Sequence, residues 1–308
     1  MKKFTVAVHG LGNIGRRAVE AALAAPDCEC LGVIRRRESL GTSGDALRGL
    51  PEFADIDGLT AAKGRPDVVI LCGPSRGIPT TAVDFLGKGF STVDSFDIHS
   101  DIPTEVPLLH KAAVAGKAVS ITAAGWDPGT DSAVRALFEA MVPVGTTFTN
   151  FGRGRSMGHS VAARAIRGVA DAVSITIPVG GGRHSRLVYV LLENGETLDA
   201  VRQRIQADAY FAHDPLEVRE CKTALELASV ADQSHGLLME RTGASGMTDN
   251  QILSFDMRIN NPALTAQILL SCARAATRMD APGCYTLIDI PPVKLLPGER
   301  MDHIARLV

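Results

Sequence analysis

A glycine-rich turn is the feature that most constrains this chain. Thr5 to Val8 reads as a short buried strand, Gly10-Leu11-Gly12-Asn13-Ile14-Gly15 follows as a GxGxxG match, and Arg16 to Ala25 continues as an alanine-rich helical run. The six-residue pattern alone occurs often by chance, but between a strand and a helix it has a mechanism. Gly10 permits the tight turn, Gly12 lets an anionic diphosphate approach the backbone, and Gly15 lets the helix lie close to the strand. The unpaired N–H groups and the dipole at the helix start favour the same anion. The turn therefore predicts a dinucleotide-binding lobe with Gly10, Gly12, Asn13, Ile14 and Gly15 as its phosphate cradle. The bland alternative is a tight turn that holds no ligand.

The next strand, Cys30 to Ile34, ends about where such a lobe meets the adenosine ribose, roughly twenty residues past the glycines. An acidic residue there would accept from the ribose hydroxyls; this chain has Arg35, Arg36 and Arg37 instead. A guanidinium fork suits a 2′-phosphate, so NADP(H) is the expected cofactor, with Arg35 and Arg36 as its contacts. A solvated basic turn, partly neutralised by Glu38, is the competing reading. Strand Asp67–Cys72 ends in Gly73-Pro74-Ser75, and the carboxyl ends of such strands line the ligand crevice, so Cys72, Gly73, Pro74 and Ser75 are expected beside the cofactor. Helix Ile78–Lys88, strand Ser91–Ser95, helix Thr104–Ala115 and strand Ala118–Thr122 continue the alternation. That order predicts a Rossmann-type doubly wound parallel sheet, an α/β lobe over residues 1–125.

The 308 residues leave room for a second lobe. After Thr122 the chain reads as a Gly/Pro turn into a helix, then a strand, a glycine-rich loop and another helix start, and from Asp171 onward as β-rich runs broken by a helix near Leu198–Ala207. An α+β lobe on an open mixed or antiparallel sheet, with helices on one face, is expected. Helix Pro262–Thr277, with Asn260 or Asn261 as its N-cap, closes it. The expected division is 1–125, completed by 270–308, for the dinucleotide and 126–269 for substrate binding and dimerisation. With 45% apolar and 21% charged residues and a net charge of -2, the chain has no basic excess for nucleic acid. It has no run of apolar residues long enough for a membrane and no signal-peptide pattern, so a cytoplasmic protein is expected. The six cysteines lack CxxC spacing and are expected as buried thiols, with no metal.

The motifs "GLGNIG", "RRR", "TVDSFDIHSDIP", "GWDPGTDS", "NFGRGRSMGHS", "INNPALTAQ" and "CYTLIDIPP" are each weak. Their order and spacing together resemble the meso-diaminopimelate dehydrogenases along nearly the whole chain. The resemblance implies oxidation of meso-2,6-diaminopimelate at its D-configured centre, giving L-2-amino-6-oxopimelate, ammonia and NADPH, in a homodimer. It implies Asp94 and Asp127 as partners of the reacting amino group, with Trp126 and Phe151 shaping the pocket and a Met157-Gly158 loop closing on the carboxylate. For the distal, L-configured centre it implies Thr176, Arg186, His235 and Asn261. Each has a structural alternative: Asp94 as a turn cap, Asp127 as the N-cap of the next helix, Arg186 as a solvated strand-edge residue, His235 as a surface loop residue and Asn261 as a cap. His159 and His184 carry no assigned chemistry.

An ordinary aspartate is a poor equilibrium base for an ammonium, so the two carboxylates are expected to orient the amine and stabilise the iminium cation electrostatically. A lysine-based mechanism is disfavoured in the second lobe, since no lysine occurs between Lys117 and Lys222. Another NADP-dependent reductase of the aspartate pathway, of the dihydrodipicolinate reductase or homoserine dehydrogenase type, and a non-catalytic NADP sensor are the competing readings.

Overall fold

The computed structural model describes residues 3–152, 154–180, 183–231 and 235–308. Two compact units emerge: residues up to Val134 together with Pro262–Val308, and Arg135–Asn261. In the first, β1 (Phe4–His9) runs through the glycine turn into α1 (Asn13–Ala24), followed by β2 (Cys28–Ile34), β3 (Glu52–Phe53), α2 (Ile56–Lys63), β4 (Val68–Leu71), α3 (Ile78–Gly87), β5 (Ser91–Asp94), α4 (Ile102–Gly116) and β6 (Val119–Ile121). Helix α5 (Thr130–Met141) carries the chain into the second unit.

The second unit holds β7 (Val144–Phe151), β8 (Gly154–Ser156), α6 (Met157–Arg164), β9 (Val169–Gly180), β10 (Arg183–Leu192), α7 (Leu198–Ala207), β11 (Leu216–Glu220), α8 (Ala224–Ala231), β12 (His235–Ser245) and β13 (Thr248–Ile259). The chain then returns to the first unit through α9 (Asn261–Ala276), β14 (Gly283–Tyr285), α10 (Pro292–Leu295) and α11 (Arg300–Leu307).

The first unit is a seven-stranded sheet in the order β14-β6-β5-β4-β1-β2-β3, with every pair parallel. Strand β4 explains why: all four of its residues are apolar and buried, so it needs cover on both faces. Val68 and Ile70 join a layer with Ala18 and Val19 of α1 and Leu269 of α9, whereas Val69 and Leu71 join a second layer with Phe85 of α3 and Leu109 of α4. Helix α9 thus belongs to the core of this unit, and the expected boundary at residues 269/270 would cut through it. The division lies between Asn261 and Pro262, in the first turn of the helix. Its Arg274 is buried in a paired contact with Asp27 just ahead of β2, at 2.6 and 2.9 Å, a link across the sequence that hydrophobic periodicity does not reveal.

The second unit differs from expectation in two ways. Its strands form two sheets, a mixed one in the order β11-β10-β9-β8 and an antiparallel one in the order β13-β12-β7. Apolar layers also cover both faces of the mixed sheet, not one. Ala172, Val188 and Val190 pack with Val201 and Ile205 of α7, and Ile175 and Leu187 pack with Leu227 of α8. Both alternate sets of residues on β9 and β10 contribute apolar side chains, so each face is packed. Among the described residues no helix is long and apolar enough to cross a membrane.

Candidate active site

The glycine turn is built as its composition requires. Gly10 has a φ of +95°, and a Cβ there would stand 3.0 Å from the Cys72 carbonyl oxygen. A Cβ on Gly15 would lie 2.1 Å from the Gly10 carbonyl oxygen, so only glycine lets α1 lie this close to the turn. A Cβ on Gly12 meets nothing within 4 Å, and Gly12 caps α1 without any side-chain hydrogen bond. The first-turn N–H groups of Asn13, Ile14 and Gly15 therefore face an uncapped, unobstructed helix end, the arrangement that a diphosphate needs.

The three arginines after β2 separate in role. Arg35 turns inward, its Nη1 donating to Ser43 and, at 3.2 Å, to Glu52, while its Nη2 and Nε have no partner among the described residues. Arg36 and Arg37 are exposed and loosely paired, with Glu38 at 3.4 Å and Asp55 at 3.6 Å. They are the most exposed guanidinium groups at this strand end, and weak exposed pairs of this kind exchange readily.

Asp94 does not occupy the place assigned to it. It ends β5 with no exposed surface. Its Oδ1 accepts from Thr122 Oγ1 at 2.8 Å and from the backbone N–H groups of Phe96 at 3.0 Å and Ala123 at 3.4 Å, and its backbone oxygen accepts from Ala124. Oδ2 has no partner among the described residues, and burial pushes the carboxyl up to about 6. Asp94 fastens the loop after β5 to the loop after β6; a carboxylate without exposed surface touches no substrate in this conformation.

Asp97, in the loop that Asp94 anchors, is only partly buried and accepts from Ser75 Oγ at 2.5 Å. Sequence reading passed over it. The usable signal was position: a residue on a central parallel strand is buried on both faces, whereas one in the loop beyond the strand end reaches the crevice. Trp126 is buried in the loop after β6. Asp127 stands just before a cis peptide bond to Pro128, with Oδ1 at 3.8 Å from His99 Nε2. Helix α5 begins at Thr130, so Asp127 is not at its N-cap position. Cys72 is free, its thiol pushed up to about 12 by burial, and Gly73 and Pro74 lead to the short turn at Ser75.

In the second unit three of the sequence-assigned distal residues, Thr176, Arg186 and His235, come together. Arg186 and Thr176 are cross-strand partners on β10 and β9, and Arg186 Nη1 donates to Thr176 Oγ1 at 2.6 Å. Arg186 is only 8% exposed; its Nε donates to Asp214 at 2.6 Å, and Nη2 lies 2.6 Å from His184 Nε2. His235, at the start of β12, is buried with its ring stacked on Phe151 at 6.4 Å, and Phe151 makes an edge contact with His184 at 6.0 Å. Burial pulls His235 down to about 4 and lowers His184 as well, so both rings are neutral near pH 7. Asp214 was not foreseen, and His184 was noted without a role. Asp214 is brought to Arg186 by the parallel pairing of β10 with β11, a long-range contact that carries no local pattern.

Met157 and Gly158 open helix α6 instead of forming a loop, and the N-cap, Ser156, makes no side-chain cap bond. The Met157 side chain lies outside the described residues. Asn261 opens α9 at the edge of this unit.

Residues 125–182 match the diaminopimelic acid dehydrogenase C-terminal domain. A solved Corynebacterium glutamicum DAP dehydrogenase in complex with DAP superposes with a TM-score of 0.89 at 30% identity, with 100% of each chain covered. An engineered D-amino acid dehydrogenase bound to NADP+ gives 0.88 at 29% identity, again over 100% of each chain. The meso-diaminopimelate D-dehydrogenase of Bacteroides fragilis is 46% identical over 308 residues, the whole of both chains. With that likeness along its full length, this chain belongs to the meso-diaminopimelate D-dehydrogenase family of oxidoreductases.

Proposed function

We propose that the chain catalyses the reversible, NADP-dependent oxidative deamination of meso-2,6-diaminopimelate at its D-configured centre. The products are L-2-amino-6-oxopimelate, ammonia and NADPH, and the step belongs to lysine biosynthesis. The observation that carries this reading is the convergence of Thr176, Arg186 and His235, from three strands, on one buried cluster equipped to hold a remote carboxylate. A simple monoacid substrate gives no reason to bury an arginine there.

The residues present fit the cofactor. The open cradle at Gly12 and the uncapped start of α1 suit a diphosphate, and Arg36, assigned from sequence, together with Arg37 suits the 2′-phosphate that separates NADP(H) from NAD(H). Arg35 braces this loop through Glu52 and Ser43. The dinucleotide supplies the hydride acceptor for the substrate α-carbon.

Asp97 takes the place first assigned to Asp94 and, with Asp127, holds the reacting amine. As hydride leaves the α-carbon, the nitrogen lone pair forms the C=N bond, and the two carboxylates stabilise the resulting iminium cation. Water then adds to that carbon and ammonia departs. The amine must be neutral when hydride leaves, which favours alkaline conditions for the oxidative direction. Trp126, in the first unit, and Phe151, in the second, are each assigned to substrate contact. The first-turn N–H groups of α6, at Met157 and Gly158, suit a substrate carboxylate, and Asn261 with the Arg186 cluster completes recognition of the distal end.

Homodimerisation is assigned to the three-stranded sheet of the second unit. Its strand β13 is twelve residues long, pairs with β12 and stands at the edge of the sheet, with alternate residues exposed on one face. Sedimentation at micromolar concentration tests this assignment; a monomer refutes it. The activity is tested by NADPH absorbance with purified protein, meso-diaminopimelate and NADP+ at alkaline pH, with NAD+ and the LL isomer in parallel. NADPH formation from the meso isomer alone, much weaker with NAD+, is the expected result. No reduction under any pairing refutes the reading.

A further inference from the structure

The distal end of the substrate proposed above is an amino acid, with a carboxylate and an ammonium. Thr176, Arg186, His235 and Asn261 supply hydrogen-bond donors for the carboxylate. None supplies an anion for the ammonium, and a cation desolvated without one is costly. The cluster does contain an anion that the sequence did not announce. Asp214 lies just ahead of β11, placed by the pairing of Arg186 with Leu216 and by the Arg186 N–H bond to the Pro215 carbonyl oxygen at 2.7 Å.

Three features bear on its role. First, only Oδ2 is engaged, by Arg186 Nε at 2.6 Å, with His184 Nε2, which accepts from Arg186, 3.5 Å away; Oδ1 has no hydrogen-bond partner among the described residues. Second, the Asp214 side chain keeps 23% of its surface exposed, against 9% for Arg186, so it is the more accessible member of the pair. Third, Arg186 is not consumed by the pairing. A guanidinium has five N–H donors, and bonds to Asp214, Thr176 and His184 leave a donor on each terminal nitrogen for a carboxylate. One bonded pair thus offers a remaining cationic fork and a remaining carboxylate oxygen side by side.

We propose that Asp214 recognises the distal ammonium of the substrate, and that the Arg186–Asp214 pair together selects a zwitterionic amino-acid end over a plain carboxylate end. This rests on the function proposed above. The competing roles for Asp214 are those of a counterion that only holds Arg186 in place, or of a competitor that the substrate carboxylate displaces.

The test compares meso-diaminopimelate with D-2-aminopimelate, which keeps the reacting centre, the chain length and the distal carboxylate but lacks the distal ammonium. In the wild-type enzyme kcat/KM is expected to be about tenfold or more higher for the diamino acid, the scale of one hydrogen bond to a charged group. Asp214→Asn should lower kcat/KM for meso-diaminopimelate by about tenfold or more and for D-2-aminopimelate by less than about threefold. Equal losses on both substrates, or a gain on both, overturn the proposal in favour of the counterion or the competitor. Should the amide variant fail to fold, Asp214→Glu keeps the negative charge and moves it by one methylene. The substrate ratio should then fall by about threefold or more, and an unchanged ratio overturns the proposal. A wild-type enzyme equally active on both substrates also overturns it. A wild-type enzyme that reduces NADP+ with neither refutes the proposed function itself and the inference with it, an outcome distinct from failure at Asp214 alone.

Discussion

Two glycines in the same turn should fail in opposite ways when each receives a methyl group. At Gly15 a Cβ would sit 2.1 Å from the Gly10 carbonyl oxygen and 2.9 Å from its carbon, both backbone atoms that cannot swing aside. Relief requires α1 to move away from the turn, so Gly15→Ala should cost about 3 kcal/mol or more of stability, at or beyond the usual range for overpacking. At Gly12 the backbone has φ −77° and ψ −160°, which alanine adopts freely, and a Cβ meets nothing within 4 Å. Gly12→Ala should therefore leave stability within about 0.5 kcal/mol of wild type, as substitutions clear of packed features usually do. The open space at Gly12 is where the diphosphate is proposed to approach, so the same methyl group should weaken NADPH binding by about tenfold or more, the equivalent of about 1.4 kcal/mol. Urea unfolding without nucleotide reads the first quantity and fluorescence titration with NADPH reads the second. A Gly12→Ala protein that binds NADPH like wild type would show that the cradle is not the phosphate site. A Gly15→Ala protein as stable as wild type would contradict the packing argument.

Asp94 gives a pH signature of stability. Its carboxyl is raised from 3.8 to about 6 by burial, so the native state holds its proton more tightly than the unfolded chain. That contribution is fully present below about pH 4 and is lost as pH rises through about 6, a change of about 3 kcal/mol. Asp94→Asn should flatten this segment of the stability profile, and parallel profiles in urea between these pH values would refute the assignment. Arg36→Ala with Arg37→Ala should raise KM for NADP+ by about tenfold or more with little effect on NAD+, whereas Arg35→Ala should chiefly destabilise the loop held by Glu52. Equal effects on both coenzymes would remove the exposed arginines from the 2′-phosphate. Asp97→Asn should depress kcat by about a hundredfold with NADPH affinity intact, and Arg186→Ala should raise KM for the diamino acid at least as strongly; wild-type kinetics in either variant would dismiss that residue.

The first unit was legible because local rules govern it. A parallel sheet needs continuous apolar strands separated by helices, and β1, β2, β4, β5 and β6 each announce themselves in a handful of residues. The short β3 gave no periodic signal, since it has only two residues, which pair with Val33 and Ile34 at the end of β2. The second unit was less legible for the same physical reason in reverse. Its β-runs were visible, but nothing local says that β7, β12 and β13 form one sheet and β8 to β11 another. The site divides along that line too. The glycine cradle is a local motif and stood complete in the sequence, whereas the partners of Arg186 are set by strand register. Asp94 was assigned by resemblance alone, and no local motif in the sequence signals that the strand-end carboxylate is buried while Asp97, beyond it, is partly exposed.

The charge balance of the distal cluster follows from what the sequence left out. With His184 and His235 neutral near pH 7, the oppositely charged pair in direct contact there, among the described residues, is Arg186 and Asp214. An unpaired buried arginine would attract any carboxylate and would carry the full cost of its own desolvation before substrate arrived. Pairing it with Asp214 lowers that cost in the free enzyme and makes the cluster nearly neutral, so a ligand gains from it only by presenting both signs of charge at the right separation. A monocarboxylate tail would meet Asp214 as a repulsive neighbour, and an amine tail would meet Arg186 as one. Discrimination then comes from the pair as a unit. On that argument a broader substrate range is reached by neutralising Asp214 while keeping Arg186, and removing both together should cost less selectivity than the two single losses added, because each residue's repulsion of the wrong tail vanishes with it.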